Sequence, residues 1–467
     1  MLKVLIIEAI SKDPYHTVFS PLGPAYLASY LCKYSKIKEI DVKMIFSDGE
    51  FDFRRYNPDI VGISSVTETF NIAKRIAAFV KGNKDIPVVI GGVHISALPS
   101  NMSSDMDAAV IGEGEQTFLE LLETHAGKGL TKANLSGIQG IAYRDDGRLI
   151  QTKERELIAP LDLIPPPARQ LQKKNKRDIW MITSRGCPYK CIFCSAAQFW
   201  KTVRFFSPRY VVNEIKSLIE MYHPETINIV DDLFILQKQR FNEIVDLIVK
   251  EKINERVRFT VLVRPNLIDE DICLGLKRMN VTLVGCGFES GSAKALSVIK
   301  QNQTLEDNVN ATRLLRKHGI LVGAFFMMGI PGETIKDMEE TYHFIQEQEY
   351  SRGESYVLTP FPGTQVWDSA KSRGLVNDNM NWDHFTMDFY KHPKDSIIVS
   401  EVPREELFKE YMRMRKMWER KKAMVTSPVE ALRTAGILYL VKLIRHNPYR
   451  VWSFFIAFLR ASFTRRK

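Results

Sequence analysis

Cysteine is scarce in this sequence: six in 467 residues, too few for a disulfide scaffold. No run of about 18 or more apolar residues occurs, so no transmembrane helix is expected. The first residues, Met1–Ile7, run straight into Glu8 with neither a long apolar core nor a cleavage site, which reads as a first strand rather than a signal peptide. Repeats and low-complexity tracts are absent. Acids nearly vanish after Pro428: eight Lys or Arg meet a single acid, Glu430, so Pro428–Lys467 supplies net +7 of the chain's +10. These absences predict a protein of the reducing cytoplasm. Its basic tail suits a membrane surface, nucleic acid or an acidic partner, and charge alone does not choose among them.

What is present is a strand–helix alternation in two blocks. Val4–Glu8, Asp41–Phe46, Ile60–Ser65, Val88–Gly91 and Ala108–Gly112 read as strands, with helical stretches between and after them. Val- and Ile-rich strands separated by helices predict an α/β fold with a five-stranded parallel, flavodoxin- or Rossmann-like sheet over 1–127. Ligands of such sheets sit at the carboxyl ends of strands. There the sequence places Ser64, Ser65, Gly91, Gly92, His94 and Gly112–Glu115. A hairpin signal around Asp145-Asp146-Gly147, then Pro165-Pro166-Pro167, marks 128–177 as a linker with a small β element. Six further strands, Trp180–Thr183, Thr226–Val230, Arg258–Leu262, Leu283–Phe288, Val322–Met327 and Ser355–Leu358, predict a partial (β/α)6 barrel over 178–370. A helical extension follows over 371–467.

Directly after the first barrel strand, Cys187, Cys191 and Cys194 form a C-x3-C-x2-C loop. Three thiolates on one short loop can hold three irons of a cubane [4Fe–4S] cluster, leaving the fourth open to a small-molecule ligand. The rival, structural zinc, wants four Cys or His ligands, and the next ones, His223 and Cys273, are poorly spaced. Cys32, Cys273 and Cys286 lie among apolar neighbours and read as buried, inert thiols.

With an aromatic before its last cysteine, this loop resembles the signature of the radical S-adenosylmethionine (SAM) superfamily. Further matching segments end successive strands: Val230-Asp231-Asp232, Arg264-Pro265-Asn266, Gly287–Ser292, Met328–Thr334 and Pro360–Thr364. The resemblance implies an enzyme in which the open iron chelates SAM. Reduction then cleaves SAM to a 5′-deoxyadenosyl radical that abstracts hydrogen from a substrate. Glu289 resembles the residue that meets the SAM ribose or amino group, and Arg264 is similarly placed for its carboxylate. Gly329 and Gly332 would let the backbone approach SAM, or would simply shape their loop. The superfamily's Gly-Gly-Glu motif is replaced by Val230-Asp231-Asp232. Asp231, Asp232 and Tyr356 are the rim candidates for acid or base, and the sequence names neither a catalytic residue nor the substrate.

The order of an α/β domain and then this barrel resembles the cobalamin-dependent branch of that superfamily. Ser20–Gly23, Pro58–Ser65, Gly91–His94 and Ile111–Glu115 carry the resemblance. It implies cobalamin across the strand ends, with Ser64, Ser65, Gly91, Gly92, Glu113 and Gly114 as cofactor-binding positions. The Asp-x-His-x-x-Gly motif of histidine-ligated cobalamin proteins is absent, and Asp13-Pro14-Tyr15-His16 has the wrong spacing. That removes the motif's cobalt ligand. His94 reads first as a loop histidine hydrogen-bonded to backbone, with a cobalt ligand as the alternative. The implied chemistry is methylation of unactivated carbon, the alternative a rearrangement, cyclisation or oxidation without methyl transfer. An electron donor such as flavodoxin or ferredoxin is implied. No segment resembles an RNA-binding module, so nucleic acid is not the expected partner.

Pro428–Arg445 and Pro448–Arg465 each begin at proline, a favoured first helical position. The second carries Trp452, Phe454, Phe455, Phe458 and Phe463 between Arg450 and Arg465. It is similar to an interfacial helix lying on a membrane, which would suit a lipid-like substrate. Packing against the barrel or a partner is the alternative.

Overall fold

In the computed structural model, described for residues 1–11, 21–172, 177–387, 389–390 and 392–426, both strand–helix blocks form. The N-terminal sheet comprises β1 (Leu2–Ala9), β2 (Ile40–Ser47), β3 (Ile60–Ser64), β4 (Val88–Gly91), β5 (Ala108–Val110), β6 (Ile141–Asp145) and β7 (Arg148–Gln151), in the order 2-1-3-4-5-6-7. The first five are parallel. This is flavodoxin-like order, and its switch point lies between β1 and β3. The hairpin read as part of a linker instead extends this sheet: β6 pairs antiparallel with β5, and β7 with β6. Turn chemistry revealed the hairpin, but only long-range pairing gives it a sheet.

Alternate residues of β1 enter different cores, as strand pleating requires. Leu5 and Ile7 face the helix Phe70–Asn83, while Val4 and Ile6 face the helices Leu22–Tyr34 and Glu115–Lys128.

The second sheet comprises β8 (Asp178–Met181), β11 (Thr226–Ile229), β12 (Arg258–Val263), β13 (Val281–Glu289), β14 (Leu321–Met328) and β15 (Arg352–Val357), all parallel and in chain order. In the chain between β8 and β11 comes a separate ribbon, β9 (Ser184–Arg185) with β10 (Arg204–Phe205). The helix Arg404–Thr426 covers the β15 edge. Trp418 of that helix lies buried over Gly353, and its indole N–H donates to Ser355 Oγ at 2.9 Å.

The two halves are packed together. Tyr26 and Tyr30 of the N-terminal domain, with Ile158, Leu161 and Ile164, join the barrel's core. Among the described residues no helix is long and apolar enough to cross a membrane. The expected helices at Pro428–Arg445 and Pro448–Arg465 lie outside the described residues, as do Asp13–Ser20.

Candidate functional site

The cysteine loop is the connection between β9 and β10, so the ribbon forms its base. Gly186, between Arg185 and Cys187, has φ +95°. A Cβ there would collide with the carbonyl oxygen of Thr202, so the chain can turn into the loop only at glycine. Asp231, at the end of β11, is buried and accepts from Thr183 N–H and Oγ at 2.5 Å each and from Ser184 Oγ at 2.8 Å. Its carboxylate is committed to holding the strand that leads into the loop. Asp232 accepts from the Gly186 N–H, and burial raises its carboxyl above the usual range. Tyr356, on β15, donates its hydroxyl to Glu354.

Arg264, at the end of β12, reaches the loop from the opposite side. Its Nη1 donates to Cys191 Sγ at 3.3 Å, and its guanidinium lies 3.8 Å from the centre of the Tyr189 ring. Nε donates to Asn266 Oδ1 at 2.9 Å, and Nη2 donates to the carbonyl of Gln301. Burial pushes the Cys194 thiol up to about 11 and raises Cys187 as well. Such thiols keep their protons at neutral pH until a metal displaces them.

Among the described residues, no three His, Cys, Asp or Glu side chains group closely enough to hold a single metal ion. A cubane makes no such demand, because each thiolate binds a different iron. Three part-buried thiols on one loop, with a guanidinium donating to one sulfur, therefore fit a [4Fe–4S] cluster.

The other positions taken from the resemblance are placed as follows. Glu289 ends β13 at φ +65° and pairs with Lys300 Nζ at 3.1 Å, in a buried contact. Gly329 and Gly332 both have φ +74°, which glycine adopts freely. Their N–H groups are taken by carboxylates: Gly329 donates to Glu333 at 2.7 Å, and Gly332 to Glu401 at 2.8 Å. Both glycines thus shape a turn, the Gly329 donor facing inward and the Gly332 donor meeting Glu401 at the surface. Burial raises Glu333 to about 7.

At the switch point of the N-terminal sheet lies a cavity of about 260 Å³. Ser64, Gly91, Gly92, Glu113 and Gly114 line it from one side, and Arg185 and Trp200 of the cysteine loop line it from the other. At Gly92, φ is +112° and a Cβ would strike the Ser65 carbonyl. The Ser65 hydroxyl and Glu8 Oε2 are buried without partners. A cavity of about 150 Å³ holds benzene, so this one takes a ring-sized arm of a flat cofactor, not a whole corrinoid. Small residues and a mostly apolar lining fit cobalamin in that sense.

Glu113, assigned to the cofactor by resemblance, gives its carboxylate to Arg185 and Arg204, and Glu115 also binds Arg185. Nothing in the local pattern marks these pairs, which span some seventy to ninety residues of chain.

Two expectations need correction. His94 is fully buried in the short helix Val93–Ala97, between Phe70 and Trp382 at 4.0 and 4.5 Å between ring centres. Its ring nitrogens meet Thr67 Oγ at 3.3 Å and Asn101 Oδ1 at 3.1 Å, so its partners are side chains rather than backbone. Cys32 is exposed, because its helix turns that face outward, whereas Cys273 and Cys286 are buried as expected.

Two family profiles match the chain: the radical SAM superfamily over residues 181–345 and the B12 binding domain over residues 14–122. The chain is 32% identical over 405 residues to an uncharacterized methyltransferase of Pyrococcus horikoshii, covering 83% of this chain and 86% of that protein. It is 29% identical to the anaerobic magnesium-protoporphyrin IX monomethyl ester cyclase of Rubrivivax gelatinosus, covering 77% and 67%. The fold matches that of the radical SAM methyltransferase TsrM of Kitasatospora setae, solved with cobalamin and a [4Fe–4S] cluster, at TM-score 0.64 and 19% identity, over 80% and 75% of the two chains. The chain therefore belongs to the radical SAM superfamily, as an enzyme that carries a B12-binding domain ahead of its barrel.

Proposed function

We propose that this protein methylates an unactivated carbon of a small molecule, with SAM as both radical source and methyl donor and cobalamin as methyl carrier. The observation that carries this reading is the meeting of the cysteine loop with the N-terminal cavity: Arg185 and Trp200 wall the cavity within seven residues of the cluster cysteines. When bound, the cluster supplies the electron that cleaves SAM, and cobalamin supplies a transferable methyl group.

Cys187, Cys191 and Cys194 would hold the cluster, and Arg264 orients Cys191 through its N–H to sulfur bond. Asp231 and Asp232 fix the two ends of the approach to the loop, at Thr183 and at Gly186. Ser64, Ser65, Gly91, Gly92 and Gly114 leave room at the strand ends for the cofactor's edge. Arg264 and Glu289 are proposed to meet SAM, and Gly329 and Gly332 to shape the rim beside it. Low-potential electrons come from a flavodoxin- or ferredoxin-like donor. The aromatic, basic sequence after residue 427 is the segment proposed to rest on a membrane, which would favour a lipid-like substrate.

A second reading, oxidation or cyclisation without methyl transfer, draws on the likeness to the cyclase. Product counting separates the two. Anaerobically reconstituted protein given SAM, reductant and candidate substrates should form S-adenosylhomocysteine together with 5′-deoxyadenosine if it methylates. 5′-Deoxyadenosine alone supports the second reading. Neither product, nor any iron retained, removes both.

A further inference from the structure

The cysteine loop rests on a pairing that is unfavourable by itself. In the β9–β10 ribbon, Arg185 and Arg204 are register partners, so their side chains leave the same face directly opposite one another. Like charges in that position repel. Arg185 is buried and Arg204 largely so, with side-chain exposures of 4% and 10%, so water screens the repulsion little.

The compensation comes from another domain. Glu113 Oε1 meets Arg185 Nη1 at 2.5 Å and Arg204 Nη2 at 3.0 Å, while its Oε2 accepts from Arg204 Nη1 at 3.0 Å. Glu115 Oε1 accepts from Arg185 Nη2 at 2.6 Å. Glu113 Oε2 also takes the Ile158 N–H at 2.8 Å, and the Ile158 carbonyl accepts from Arg204. Trp200, within the loop, lies against both guanidiniums, at 5.2 and 5.7 Å. Two cations and two anions thus close a neutral set at the base of the only three-cysteine loop in the sequence.

We propose that Glu113 and Glu115 are positioning residues for the iron–sulfur cluster. From the N-terminal domain they clamp the Arg185–Arg204 base of the loop and so hold its three cysteines in register. The inference rests on the reading of that loop as a cluster site. Removing Glu113 leaves two guanidiniums facing each other without their shared anion, and the loop between them opens.

The test is the rate at which anaerobically reconstituted full-length protein loses iron to a chelator, with the electron paramagnetic resonance of the reduced cluster and circular dichroism as controls. Glu113→Gln should release iron on the order of tenfold faster than wild type and broaden the cluster signal, at unchanged helix content. Glu113→Gln combined with Arg204→Gln removes the opposing cation as well and should recover several-fold of that loss. A carboxylate that merely supports the fold gives no such recovery. Release from Glu113→Gln within twofold of wild type, or no recovery in the double variant, overturns the proposal. Should Glu113→Gln fail to fold, Glu115→Gln decides: faster release supports the clamp and an unchanged rate overturns it. Wild-type protein that binds no iron sinks the functional reading itself, which the variant comparison does not.

Discussion

Arg264 Nη1 lies 3.3 Å from Cys191 Sγ, with its guanidinium face on the ring of Tyr189. A residue from the end of one barrel strand therefore donates to a sulfur on the loop that follows another. Hydrogen bonds to cluster sulfurs raise the reduction potential, because they favour the more negative reduced state. Arg264→Leu should lower the potential by tens of millivolts, the scale of an interaction worth roughly 1 kcal/mol. Measuring it by redox titration without SAM isolates the sulfur contact from any contact to the SAM carboxylate. An unchanged potential would show that the bond is absent once the cluster is bound.

Glu8 gives a pH dependence. It sits at the end of β1, bonded to Ser64, and burial raises its carboxyl from 4.5 to about 8. In the unfolded chain it ionises near 4.5, while in the fold it keeps its proton. Between those values the folded state binds more protons, so stability falls as pH rises through this window. The full loss, at most about 5 kcal/mol, is reached above pH 8. Glu8→Gln should flatten this slope and be the more stable protein at pH 8.5. Urea unfolding at pH 5.5 and 8.5 checks it.

His94 works in the opposite direction. Its burial lowers the imidazole to about 4, so the fold holds it neutral while the unfolded chain protonates near 6.5. Its contribution is complete above pH 6.5 and is lost as pH falls toward 4. His94→Gln should lack this acid-side loss, up to about 3 kcal/mol. The absorbance of bound cobalamin should not change, since Phe70 and Trp382 enclose the ring. A shifted cobalamin spectrum would make His94 a cobalt ligand after all.

Gly186 offers a conformational test. Alanine there must adopt φ +95° and also displace Thr202. Gly186→Ala should lose most iron on reconstitution, while its thermal midpoint drops by only a few degrees, because the strain is confined to the loop. Full iron occupancy in this variant would mean that the ribbon can re-form without the tight turn.

Trp418→Ala should cost about 3–5 kcal/mol, the range for emptying a large aromatic site. Trp418 fills the space above Gly353 and bonds to Ser355. Denaturant titration reads this directly, and a cost below about 1 kcal/mol would mean that the helix Arg404–Thr426 contributes little to closing the β15 edge.

The sequence by itself determined whatever local periodicity and spacing encode. Alternation of Val- and Ile-rich strands with helices is enough to predict both sheets, since burial of both faces imposes that pattern. The C-x3-C-x2-C spacing is enough to propose that loop as a cluster site, since three candidate ligands within eight residues need no distant partner. Tertiary structure decided the rest. It gave the hairpin at Asp145–Asp146 to the N-terminal sheet, enclosed His94, exposed Cys32 and turned Asp231 inward toward Thr183. It also brought Glu113 and Glu115 onto Arg185 and Arg204, across an interface that neither segment announces. A charged residue reads in sequence as surface or site. Which buried partner neutralises it depends on how two separately patterned domains pack, and no local pattern carries that information.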